Sequence, residues 1–406
     1  MVVASPDKPI SVAEALSFVA QGFGPAVSVE TVPLGQAAGR IAATDVTSAI
    51  DVPPTDNSAV DGYAFGHADA GAMLSIVGTV SAGHPFRGGI APGEAVRIFT
   101  GAILPNGADT VVAQENVTTT GRRVAIPAGL TPGTNRRRAG EDASVGDTVV
   151  RAGDRLTPAR IGLLASVGTK TISVFKPLRV AVFSTGDEIA DGPLKPGQIH
   201  DSNRPVLLAM LSAAGIAATD LGILPDRADI IRDRLAEAAR THDAVACSAG
   251  MSVGDEDHVK GAVRALGALD FWSVAIKPGR PIAIGRVGDA AFFGLPGNPV
   301  AMVVTFSMIV RPALLRMAGA VFGEPPRFPV VADFALTRRP GFREFLRATL
   351  HPGDDGMLRT RRHPKSGSGV LSSVAGSDGF LEVAEDIAEI APGMVLPFIP
   401  FSALGL

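Results

Sequence analysis

One cysteine, one tryptophan and one tyrosine stand among 406 residues. The lone Cys247 excludes an internal disulfide framework and a thiolate zinc cage, which fits a reducing compartment. Neither sign of charge dominates: 37 Lys and Arg against 40 Asp and Glu leave a formal net charge of -3, without the footprint of a nucleic-acid binder. Long apolar runs are missing as well. The best, Val300 to Val310, is interrupted by Thr305 and Ser307 and stops at Arg311, so it reads as a buried helix and no membrane span is expected. The opening Met1-Val2-Val3-Ala4-Ser5-Pro6 lacks the basic and apolar regions of a secretory signal, and a cytoplasmic location is expected. Also absent are Gly-x-Ser-x-Gly, a Walker A sequence and the Rossmann glycine fingerprint, which removes support for serine hydrolases, P-loop kinases and nicotinamide enzymes. The histidines show no metal-ligand spacing.

What remains is globular, 46% apolar and 19% charged, and long enough for two or more domains. A capping box, Ser11 to Glu14, opens a helix that carries Leu16, Val19 and Ala20 at helical spacing. Residues 46–145 turn to short β-prone pieces separated by Gly and Pro, a β insert domain. Thr157-Pro158 then caps another helix, so residues 1–45 and 146–178 are expected to form one discontinuous linking domain. From residue 179 to 326 strands alternate with helices, the pattern of a parallel, doubly wound α/β sheet. Residues 327–406 return to β-like segments and form a C-terminal β domain. The fold class is therefore multidomain α/β plus β.

Ligands of such sheets bind beyond the C-terminal strand ends, where loops converge and helix N-termini point their amides. Four loops there carry polar residues: Ser184-Thr185-Gly186-Asp187-Glu188, a loop ending in Asp226, residues 248–257 with Ser252 and Asp255-Glu256-Asp257, and Gly294-Leu295-Pro296-Gly297-Asn298-Pro299. Taken singly, Asp226 reads as a helix cap, the acidic run as a solvated helix start and the Gly-Asn-Pro stretch as a turn. On one sheet edge, together, they describe a pocket for a phosphate-bearing ligand and Mg²⁺, which takes carboxylates and phosphates. Lys277-Pro278-Gly279-Arg280-Pro281 adds a proline-stiffened cationic loop suited to an oxyanion, or else ordinary surface charge. Arg136-Arg137-Arg138 reads alone as a solvated charge run. Asp56 to Tyr63 is dense in turn formers and holds the sole tyrosine.

These segments resemble the MoeA family, the molybdopterin molybdenumtransferases, to which the E domain of gephyrin is also related. The resemblance rests on Pro54 to Tyr63, Thr100-Gly101-Ala102, Asn135 to Asp142, Ser184 to Glu188, Ser252 to Asp257, Lys277 to Pro281 and Gly294 to Pro299, in the family's order and spacing. It implies a four-domain homodimer with a MogA-like α/β domain. The active cleft would lie between that domain of one subunit and the β insert of the other. It further implies molybdopterin-AMP and molybdate as substrates, Mg²⁺ as cofactor, AMP as product and a MogA-like adenylyltransferase as a potential partner.

By match, Asp56, Thr100, Asp142 and Asp257 would be catalytic. Asp187, Glu188, Asp226, Ser252, Gly294, Gly297 and Asn298 would bind the nucleotide-bearing substrate, with Asp187, Glu188 and Asp257 at the metal. Lys277, Arg280, Pro281, Arg347 and Ser368 would hold molybdate. Three positions depart from the family pattern: Arg280 replaces a lysine, Ala301 a serine and Ala249 a glycine. The competing readings are an adenylyltransferase of MogA type, which the extra β domains argue against, and a non-catalytic receptor scaffold, which the retained acids argue against.

Overall fold

The computed structural model describes residues 9–248 and 258–406. Its α/β part is a six-stranded sheet in the order Ala217–Leu224, Arg179–Thr185, Ala244–Ser248, Ala290–Leu295, Pro281–Val287, Gly267–Ser273. The first four strands are parallel, as the alternation of strands and helices requires. Pro281–Val287 runs antiparallel to both of its neighbours, a departure from the all-parallel expectation. Only Gly288 and Asp289 separate Val287 from Ala290, too short a link for a parallel crossover, which takes a dozen or more residues.

Both faces of the sheet are apolar because both are covered. Val180, Val182, Ala244 and Ala246 pack under the helices Val12–Gly22 and Asn203–Ala213 and the long helix that starts at Pro299. Ala181, Phe183, Val245 and the buried Cys247 pack under Ala228–Thr241 and His258–Leu266. The alternation follows from the two-residue period of a strand. The long helix does not stop at Arg311. It runs from Pro299 to Met317 buried in this core, with a wider π turn at Phe306–Val310. That turn accommodates Pro312, which has no N–H to donate.

The first helix also departs from expectation. Its capping box forms, with Glu14 N–H donating to Ser11 Oγ at 3.1 Å and Ser11 N–H to Glu14 Oε2 at 2.7 Å. Its apolar face of Val12, Ala15, Leu16 and Val19 joins the α/β core, however, not the linking domain. Phe23 stacks on Phe293 at 5.7 Å and Arg316 Nη2 donates to the Ala20 carbonyl at 3.1 Å. Periodicity fixes the existence of an apolar stripe and leaves its partner open. The linking domain has its own core of Val32, Ala42, Val150, Leu156, Leu164, Ile172 and Val174, where Val29–Pro33 pairs with Thr171–Phe175.

The β insert is a six-stranded sheet centred on Gly62–Phe65, Glu94–Ile98 and Met73–Val80. In the C-terminal domain Arg343–Pro352, Leu358–Arg362, Phe328–Ala332, Val395–Pro400 and Gly379–Val383 close into a ring, which leaves no open edge. The start of Arg343–Pro352 also takes Ile276–Lys277 as a parallel neighbour, with Lys277 opposite Glu344. The cationic loop of the α/β domain is thereby tied to the barrel.

Candidate active site

Register places the ends of the four parallel strands side by side: Thr185 opposite Leu224, Ser184 opposite Ser248, and Ser248 opposite Leu295. The loops after them therefore open on one edge. Asp187, Glu188 and Asp226 are all exposed there. Gly186 takes φ +136, and a Cβ at that position would collide with the Glu188 carboxylate, which folds back over the glycine. Asp226 is not a helix cap. The helix Ala228–Thr241 has Arg227 at that position, and Asp226 Oδ1 instead receives the Thr185 hydroxyl at 3.5 Å from the neighbouring strand end. Gly297 and Asn298 lie in the turn before Pro299, whereas Gly294 is interior to its strand, paired with Cys247 and Ala283. Ser252, Asp257 and Ala249 lie outside the described residues. Among those described, no group of three or more His, Cys, Asp or Glu is arranged to hold a metal.

Behind this edge sits a residue that the sequence reading passed over. Asn203 donates through Nδ2 to Ser248 Oγ and to the Gly297 carbonyl, both at 2.7 Å, joining two of the strand-end loops. It is set by Asp201, whose Oδ1 accepts from the Asn203 and Arg204 amides at 3.1 and 3.2 Å. Arg204 in turn reaches Asp201 at 3.1 Å, Asp191 at 2.6 Å and Asp220 at 2.5 Å. Burial opposes the Arg204 charge, yet Asp220, Asp201 and Asp191 together raise its pKa above the ordinary arginine value. The available signal was Asn203 on the same helical face as Leu207, Met210 and Leu211, a polar residue where the period demands an apolar one.

The segments that carry the residues matched to molybdate border a second junction, between the long helix and the barrel. Gly279, at φ +123, lies against Thr305 and the Ala301 carbonyl, so the Lys277–Pro281 loop crosses the first turns of the long helix. The Ser368 carbonyl accepts the Val300 amide at 2.9 Å, bringing a barrel loop onto the same helix start. Lys277 and Arg280 are exposed, as is Pro281, which begins its strand. Lys277 Nζ pairs with Glu344 at 2.9 Å, and Glu344 also accepts from the buried Arg338 at 2.9 Å. Arg347 is buried and braces the barrel loop: Nε donates to Ser373 Oγ at 3.1 Å and Nη2 to the Lys365 and Gly367 carbonyls at 3.4 Å. Burial lowers the Arg347 pKa, with Glu344 acting against it and Arg362 with it.

A third cluster gathers on the β insert. Asp56 accepts the Ala139 amide at 2.9 Å and pairs with Arg136, while Arg136–Arg137 runs antiparallel to Asn57–Ser58. Thr100 donates through both its amide and its hydroxyl to Asp61 at 2.8 Å, which holds the Asp61 pKa below the ordinary value. Asp142 is exposed and its amide donates to the Val52 carbonyl at 2.9 Å. The segments around Asp56, Thr100 and Asp142 are thus one surface. Among the described residues no hydrogen bond joins it to the α/β domain of the same chain.

An acid-lined crevice at parallel strand ends, beside a cationic junction and carried with two β domains, defines a multidomain α/β plus β protein with a ligand crevice at its sheet edge. Residues 10–168 match the family description "MoeA N-terminal region (domain I and II)", residues 181–316 "Probable molybdopterin binding domain" and residues 329–401 "MoeA C-terminal region (domain IV)". A Haemophilus influenzae protein named molybdopterin molybdenumtransferase is 37% identical over 381 residues, 92% of this chain and 94% of that protein. A Mycobacterium tuberculosis protein named molybdopterin molybdenumtransferase 2 is 36% identical over 384 residues, 90% and 93% of the two chains. The crystal structure of a molybdopterin biosynthesis MoeA protein from Pyrococcus horikoshii superposes with a TM-score of 0.81 at 28% identity, covering 97% of this chain and 100% of that one. The chain belongs to the MoeA family of molybdopterin molybdenumtransferases, enzymes of molybdenum cofactor biosynthesis.

Proposed function

We propose that this enzyme inserts molybdate into adenylylated molybdopterin, with Mg²⁺-dependent release of AMP. The observation that carries the reading is the in-register edge formed by Thr185, Leu224, Ser248 and Leu295, with the acids Asp187, Glu188 and Asp226 in its loops. The exposed carboxylates of Asp187, Glu188 and Asp226 are of the chemical type that a hard cation takes. Bound there with Asp257, Mg²⁺ would neutralise charge on the phosphoanhydride as AMP leaves. Asp226, which accepts the buried Thr185 hydroxyl, would contact the substrate beside Asp187 and Glu188, and Gly297 and Asn298 would border it. Lys277, Arg280, Pro281, Arg347 and Ser368 would receive the oxyanion at the barrel junction.

The β-insert surface of Asp56, Thr100 and Asp142 completes the site from a second copy of the chain in a homodimer. Mixing two inactive variants, Asp56→Ala and Glu188→Ala, is expected to restore part of the activity through heterodimers with one intact composite site. Sedimentation showing only monomer at the working concentration would exclude this arrangement.

Arg280 supplies forked contacts that the more usual lysine lacks. A charge-assisted hydrogen bond contributes roughly 1.5 to 3 kcal/mol, so Arg280→Ala is expected to raise the molybdate concentration for half-maximal insertion by about tenfold or more. AMP binding should change little. A loss of nucleotide affinity with unaltered molybdate dependence would assign the loop to the substrate phosphate.

A further inference from the structure

A carboxylate is out of place at a junction for an oxyanion, which it repels. Glu344 stands there all the same, buried at 7% exposure, with one oxygen on each of two cations. Its Oε2 meets Arg338 Nε and its Oε1 meets Lys277 Nζ, both at 2.9 Å. Arg338 is held firmly, since its Nη atoms donate to the Phe342, Ala384 and Ile387 carbonyls. The Glu344 backbone is fixed from both sides, opposite Lys277 in one direction and Val383 in the other. The buried arginine balances the carboxylate, so the charge of Lys277 is not cancelled.

Lys277 is different in kind. Its side chain is 57% exposed, and its flexible stem loses rotamer freedom whenever the ammonium is fixed. Glu344 engages one of the three ammonium N–H groups and leaves the others for a ligand. A lysine already held in the free protein gives up less entropy when an anion arrives. We propose that Glu344 is a positioning residue that holds the Lys277 ammonium in place for molybdate. It contacts no substrate and acts through Lys277. This rests on the oxyanion junction proposed above.

Titration calorimetry of the full chain with molybdate tests the tether as a cycle of wild type, Glu344→Gln, Lys277→Met and the double variant. Glutamine keeps the shape and an acceptor for Arg338 but removes the charge that holds Lys277. It should weaken molybdate binding by about three- to tenfold, and Glu344→Asp should recover most of the loss. In the Lys277→Met background the same substitution should change nothing, whereas a purely structural Glu344 would shift both backgrounds alike and overturn the proposal. Unchanged or tighter binding by Glu344→Gln would overturn it too. If wild type bound no molybdate, or Lys277→Met bound it as tightly, the junction reading itself would fail and the tether with it. Competitive acetylation of wild type, read by mass spectrometry, needs no variant to fold. Lys277 should react about fivefold more slowly than the exposed Lys195, because an ammonium on a carboxylate keeps its proton. Equal reactivity would show that Glu344 does not hold the lysine.

Discussion

Glu188→Gln is expected to slow AMP release from adenylylated molybdopterin by about a hundredfold, the scale of losing one preorganised electrostatic contact at a reacting centre. Glutamine keeps the shape of the side chain and removes the charge that would attract Mg²⁺. The carboxylate is exposed over Gly186, so folding should be almost unaffected, within about 0.5 kcal/mol of wild type. A single-turnover measurement of AMP against time, repeated over a Mg²⁺ series, reads both effects. The variant should need more Mg²⁺ for its residual rate. A wild-type rate at every concentration would remove Glu188 from the metal site.

The second large effect is structural. Arg204→Met should cost about 3 to 5 kcal/mol of stability in a denaturant titration, because it strands the Asp201 carboxylate, whose side chain is only 2% exposed. Asp191 and Asp220 are more exposed and contribute little to that figure. Their loss matters for pH dependence. Burial favours the neutral form of Asp220, but the Gly222 amide and Arg204 outweigh it and depress the pKa. A carboxylate with a folded pKa below its unfolded value adds stability above the unfolded pKa and loses it as pH falls through the folded one. Wild type should therefore lose stability below about pH 4, and the variant should show a shallower fall across that window. An unchanged acid limb would mean that Arg204 does not set the Asp220 titration.

The strand-end acids were legible because rules of α/β topology turn a sequence alternation into a shared edge. Asp187, Glu188 and Asp226 needed only the strands before them to be recognised, and register then placed them together. Asn203 was not legible in the same way. Asp201-Ser202-Asn203 reads as a run of capping residues, and only the fold shows Asn203 bridging Ser248 to Gly297. The Lys277–Glu344 pair is similarly invisible, since it depends on a short strand of one domain joining the barrel of another. The first helix shows the same boundary between levels: its apolar period predicts burial, while the choice of the α/β core over the linking domain is made by tertiary packing.

The coupling of molybdenum insertion to AMP release is tested most directly by following both products in one reaction of the purified chain with adenylylated molybdopterin, Mg²⁺ and molybdate. AMP and molybdenum-loaded cofactor are expected to rise together in equal amounts. AMP accumulating without molybdenum incorporation, or incorporation without AMP, would contradict the proposed reaction.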